Sequence, residues 1–112
     1  MSSIVIFDPW STVVANRVTD YQQCVNTFPG FENLSPHAQD AVESLVFNRG
    51  ASLSGPNRLE MRQLRDAIAD LNYRAGAACF IRMIRVWRDT SIFSGMKARR
   101  EAEAKLFLAD QR

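Results

Sequence analysis

One histidine and two cysteines are all that this 112-residue chain offers as imidazole or thiolate ligands. Neither Cys24 nor Cys79 belongs to a Cys-x-x-Cys pair, so the sequence assembles no zinc site and implies no metal. Free cysteine is among the most buried residue types; two buried thiols are the expectation, with a disulfide as the alternative. His37 falls in the first turn of a helix, where its ring is expected to be solvated, which argues against a catalytic triad. There is no P-loop and no Gly-x-Gly-x-x-Gly, and no cofactor is implied. Long hydrophobic runs are missing too, so no segment reads as a membrane span. Ile4–Phe7 is apolar, but no basic segment precedes it, which speaks against a secretory signal and for a protein that starts in a cytoplasm.

What is present suits one globular domain over residues 1–112. Hydrophobic residues make up 46% and charged residues 23%. A chain of this length can bury a core without disulfides. Residues 1–7 read as an extended N-terminal segment; from Asp8 on, the apolar spacing is helical. Asp8-Pro9 is an N-cap followed by proline. Trp10, Val13, Val14, Val18, Tyr21 and Val25 then form one stripe, which Phe28-Pro29-Gly30 stops. Ser35-Pro36 opens a second helix, with Ala38, Ala41, Val42, Leu45 and Val46 inward and Gly50 as a left-handed cap. After a loop over 51–57, a third helix carries Met61, Leu64, Ile68 and Leu71, and Asn72 breaks it. A fourth has Ala77, Phe80, Ile81, Ile84 and Trp87 inward. Gly76 inside it costs about 1 kcal/mol relative to alanine, so its small size implies close helix packing. A fifth is expected over about 96–109, with Ala102, Leu106 and Ala109 inward. The fold class is therefore all-α, a compact bundle of about five helices.

Charge is uneven along the chain. Residues 1–48 hold one basic and five acidic side chains, residues 49–112 thirteen basic and seven acidic. Arg58, Arg62 and Arg65 step along one helix face, Arg82, Arg85 and Arg88 along another. Arg99 and Arg100 open an Arg-Arg-Glu-Ala-Glu run that reads as a solvated face. These eight arginines are the candidate binding surface. Arginine coating the polar side of an amphipathic helix is the plainer explanation.

Three segments resemble the C-terminal lobe of phage-type lysozymes and their bacterial lysozyme-like relatives. They are Asp40-Ala41-Val42 with Ser44-Leu45-Val46-Phe47-Asn48-Arg49-Gly50; Arg58-Leu59-Glu60-Met61 leading to Ile68; and Trp87, Gly95-Met96, then Arg99-Arg100-Glu101-Ala102-Glu103 with Leu106-Phe107. The resemblance runs from about Asp8 to Phe107 and implies a helical lobe beside a glycan cleft. It also implies a catalytic glutamate ahead of a small hairpin, acting as general acid. Here the first glutamate is Glu32, already among the helices, and no Gly- and Tyr-rich hairpin follows it. Asp40 and Glu43 are expected to be exposed, so no catalytic residue is assigned.

Three functions compete. In the leading one, a phage- or prophage-derived lysozyme-like lobe binds and blocks a protein or ribonucleoprotein in a bacterial cytoplasm, for example as an inhibitor of a host defence system. The Met1 start and the finish after the last helix fit a self-contained protein. The alternative is the C-terminal lobe of a peptidoglycan-cleaving lysozyme, its glutamate supplied outside this chain. Direct nucleic-acid contact through the arginine stripes is the third, without a recognised motif. No membrane association is expected.

Overall fold

The computed structural model describes residues 20–111, which form five α-helices and no strand. The expected segments 1–7 and Asp8–Val18 lie outside the described residues. Helix α1 is described over 20–27, followed by α2 (Pro36–Arg49), α3 (Leu59–Ala69), α4 (Tyr73–Arg82) and α5 (Phe93–Leu108). Short 3-10 turns cover Phe31–Asn33, Pro56–Arg58 and Met83–Trp87, the last continuing α4. Helix α5 packs against α2 and α4, and α3 against α4.

Local chemistry sets each break. Gly30 has φ +93°, and a Cβ there would stand 3.1 Å from the Ile68 carbonyl oxygen, so only glycine lets α3 close over the turn. Helix α2 starts at Pro36, but the Ser35 hydroxyl does not cap it. Its anchors are the Tyr73 hydroxyl, which accepts from the Ser35 N–H at 2.9 Å, and the Gln39 amide, which donates to the carbonyls of Phe31 and Leu34 at 3.3 Å. Gly50 has positive φ at the end of α2, but its ψ of 171° is extended, not left-handed. The Asn48 Oδ1 at this end is buried and accepts no hydrogen bond among the described residues.

Helix α3 ends in a Schellman arrangement. The Asn72 N–H reaches the Ala67 carbonyl at 2.8 Å, and the Leu71 N–H reaches that of Ile68 at 3.0 Å. Leu71 holds φ +51° where glycine is usual, and it is exposed, not inward. Asn72 then caps α4 by accepting the Ala75 N–H at 3.0 Å.

The core gathers Cys24, Phe28, Phe31, the expected face of α2, Met61, Leu64 and Ile68, and Phe80, Met83 and Phe107. Both cysteines are free and buried. Burial, then Glu43 and Asp20, push the Cys24 thiol up to about 12. Gly76 permits the close packing that its size implied: a Cβ there would lie 2.5 Å from the Phe107 ring.

Helix α5 departs most from expectation. It begins at Phe93, so Arg99 and Arg100 fall in its second turn, not its first. Its buried residues are Arg100, Glu103, Ala104 and Phe107, while Ala102 and Ala109 are exposed. An i, i+3, i+4, i+7 stripe is present, but half of it is charged, so apolar spacing alone selects the wrong face. Ile81 is also corrected outward, at 45% exposure, and Ile84, Trp87 and Leu106 are only half-buried.

Candidate binding surface

The eight candidate arginines divide into two groups. In the first, the guanidinium is already occupied. Arg58 donates to the carbonyls of Arg49 at 2.8 Å and Gly50 at 3.3 Å, closing the carbonyl end of α2. Arg62 donates to Leu53 at 2.7 Å and Gly55 at 3.0 Å, tying down the following loop. Helix C-termini and irregular loops leave carbonyls without backbone partners, and these side chains satisfy them. Arg65 pairs with its neighbour Asp66 at 3.0 Å.

Arg100 is no surface residue at all. It is fully buried, and its Nη2 donates to Glu103 Oε2 at 2.8 Å. The same carboxylate accepts the Ser44 hydroxyl at 2.5 Å and faces Arg99 Nε at 3.4 Å. Arg99 further donates to the Ser44 carbonyl at 3.3 Å. Arg99, Arg100 and Glu103 of the Arg-Arg-Glu-Ala-Glu run therefore form an ionic seam between α5 and α2, while Glu101 turns to Lys97 and Ala102 is exposed. The guanidinium carbons of Arg49 and Arg100 stand 5.1 and 5.4 Å from the centre of the Trp87 ring, within cation–π range. Burial, then the charges of Arg58 and Arg100, bring Arg49 down to about 10. Burial likewise lowers Arg100, against the pull of Glu103.

The second group is gathered by tertiary structure. Arg82, Arg85 and Arg88 line one groove of about 440 Å³ together with Lys97 of α5. Ile81, Ile84 and Phe93 add apolar surface to it. A second depression of about 470 Å³ continues it between α4 and α5, sharing Ile81 and Glu101 and adding Ala77, Ala78, Ala104, Lys105 and Leu108.

The ion pairs of the groove decide which of its charges are free. Arg85 grips Glu60 with both ends of its fork, Nε to Oε2 at 2.7 Å and Nη2 to Oε1 at 3.0 Å. Burial works to raise the Glu60 carboxyl, but the hydrogen bond and charge of Arg85 bring it below the ordinary range. Lys97 pairs with Glu101 at 2.8 Å. Arg82 donates to the Gln63 amide oxygen at 3.1 Å and the Cys79 sulfur at 3.5 Å, and its charge also helps to lower Glu60. Among the described residues no carboxylate forms a salt bridge with Arg82, Arg88 or Lys105.

Other candidate chemistry does not converge. His37 is exposed and pairs with Asp110 at 2.7 Å, an interaction that raises the imidazole and lowers the carboxyl. Asp40 is exposed and Glu43 half-buried on α2, and neither lines the groove. Among the described residues, no three of His, Cys, Asp and Glu could hold a metal ion, and no helix is long and apolar enough to cross a membrane. Sequence reading missed Glu60, Lys97, Lys105 and the outward turn of Ile81. Only the small Ala77-Ala78 pair next to Ile81 hinted that α4 carries a shallow outer face. Set against protein-family models, curated proteins and solved structures, the chain matches none.

Proposed function

We propose that the chain is a lysozyme-like lobe of phage or prophage origin that works by binding and occluding a protein or ribonucleoprotein partner, without turning over a substrate. An inhibitor of a host defence system in a bacterial cytoplasm is the setting this reading implies. The observation that carries it is the groove: Arg82, Arg88 and Lys105 line apolar surface and pair with no described carboxylate. Fold stability does not require cations outside salt bridges beside exposed Ile81 and Leu108, whereas association through charge complementarity does use them. The three lysozyme-like segments support the ancestry, and the lack of any glutamate before Glu32 supports reading these 112 residues as carrying no catalytic acid of their own.

Affinity capture from host extract, with mass spectrometry, tests the reading. The intact chain is expected to retain a defined protein or ribonucleoprotein, and charge reversal at Arg82 and Arg88 to reduce recovery. A turbidity assay on cell-wall suspensions is expected to show no clearing. Lysis by the isolated chain, or capture only of wall fragments or of a second lysozyme lobe, would instead establish the peptidoglycan-cleaving alternative. Capture that vanishes on nuclease treatment, leaving no protein, would establish direct nucleic-acid binding.

A further inference from the structure

The contact between α4 and α5 needs small residues, which Gly76, Ala77 and Ala104 supply. It does not need Ile81 at 45% exposure or Leu108 at 39%. Ile81 lines both of the joined depressions and Leu108 one of them, and together the depressions make one furrow along the pair of helices. Helix α5 contributes Phe93, Lys97, Glu101, Ala104 and Leu108, a single stripe at steps of three and four residues. From Phe93 to Leu108 this stripe runs about 22 Å at the helical rise. Ala77, Ala78 and Ile81 contribute from α4, Ile84 from its 3-10 continuation and Arg88 from just after it. An apolar furrow of about four turns between two helices matches the groove that receives a third helix.

The charge pattern selects the occupant. Arg85 and Lys97 are neutralised by Glu60 and Glu101, whereas Arg82, Arg88 and Lys105 form no salt bridge with a described carboxylate. Arg82 and Arg88 belong to one depression and Lys105 to the other, so unspent positive charge lies along the whole furrow. A basic helix would be repelled. A second copy offering the same face about a twofold axis would set like charges together. A nucleic-acid strand would use the cations but leave the aliphatic surface of Ile81 and Leu108 without the aromatic stacking that strand binding relies on.

We infer that the α4–α5 furrow receives an acidic amphipathic helix of a partner protein. Its apolar face lies over Ala77, Ile81, Ala104 and Leu108, and its carboxylates reach Arg82, Arg88 and Lys105. This inference rests on the reading of the chain as a binding protein and names the class of partner.

The test is selection of binders from a displayed library of random peptides of about 16 residues, long enough for a four-turn helix, against the full chain. Enriched sequences are expected to carry apolar residues at i, i+3 or i+4 and i+7, with a surplus of Asp and Glu. Fluorescein-labelled synthetic versions should lose affinity about tenfold or more with Ile81→Glu, which corresponds to about 1.4 kcal/mol. The Arg82→Glu, Arg88→Glu double variant should weaken them comparably, and added salt should weaken binding to the unaltered chain. Arg65→Glu, outside the furrow, should leave affinity unchanged. Circular dichroism confirms that each variant keeps its helix content, and a variant that does not is replaced by Ile81→Ser or Arg88→Gln. Enriched peptides that are basic or lack helical periodicity overturn the inference, as do peptides that bind Ile81→Glu at full strength. So do a dimer in sedimentation that Ile81→Glu abolishes, or a poly-uridine probe that displaces the peptides. Host partners retained equally by Ile81→Glu would sink the furrow and leave the binding function standing. Selected peptides seated in the furrow, with no host partner retained, would do the reverse.

Discussion

Arg58, Arg62, Arg99 and Arg100 surround the end of α2 and the middle of α5, and each guanidinium is held by backbone carbonyls or by Glu103. Arg82 and Arg88, at the end of α4 and beyond, form no salt bridge among the described residues and line an open groove. The side chain is the same in both regions; the number of unsatisfied acceptors nearby differs. Loop 50–58 and the α2 terminus expose carbonyls that need donors, and the α5 seam buries a carboxylate that needs a counter-charge. Around the groove the acids are fewer than the cations, so positive charge is left over. A count of arginines therefore says little about binding until each has been asked what it already holds.

The sharpest break of this contrast comes at the buried seam. Arg100→Ala would leave the buried Glu103 carboxylate only the Ser44 hydroxyl and Arg99 as partners, and its expected cost is about 3–5 kcal/mol. Urea denaturation measures it, and Arg100→Met with Glu103→Leu should recover much of the loss, since a packed apolar pair needs no counter-charge. A cost below about 1 kcal/mol would mean the pair behaves as a surface ion pair. Gly76→Ala comes next. The added methyl meets the Phe107 ring, and the overpacking should outweigh the gain in helix propensity, for a net loss of about 1–3 kcal/mol. The same change pries α4 from α5, so it should also alter the near-ultraviolet signal of the aromatic cluster. Arg62→Ala removes the donor from two loop carbonyls that water can partly reach, with an expected loss of about 1 kcal/mol by thermal melt. Arg88→Ala should fall within about 0.5 kcal/mol of the unaltered protein. A larger loss there would erase the distinction between the two regions.

Much of the helical architecture was legible from local signals. Ser35-Pro36, Phe28-Pro29-Gly30 and Asn72 mark real boundaries, because caps and breakers act over a few residues wherever the chain goes. The inward face of α2 was equally readable, being made of apolar side chains at helical spacing. Helix α5 was not, because its inward face includes Arg100 and Glu103, which spacing rules send to solvent. Ile81 failed in the opposite sense: it looks like a core residue, but α5 covers only the Gly76–Ala77 side of α4. Of the candidate site, Arg82, Arg85 and Arg88 were visible as a stripe. Lys97 and Lys105 were not, since nothing along the chain announces that α5 lies beside α4.

By itself the sequence determined that the chain is helical, where its helices break, and that its second half is basic. These follow from propensity, capping and composition, which act locally or simply add up. Which arginines are consumed by carbonyls, which is buried against Glu103, and which are left beside exposed Ile81 and Leu108 was decided only by tertiary structure. Desolvation and ion pairing depend on distances between residues far apart in the chain, such as Arg85 and Glu60 or Ser44 and Glu103, and only packing sets those distances.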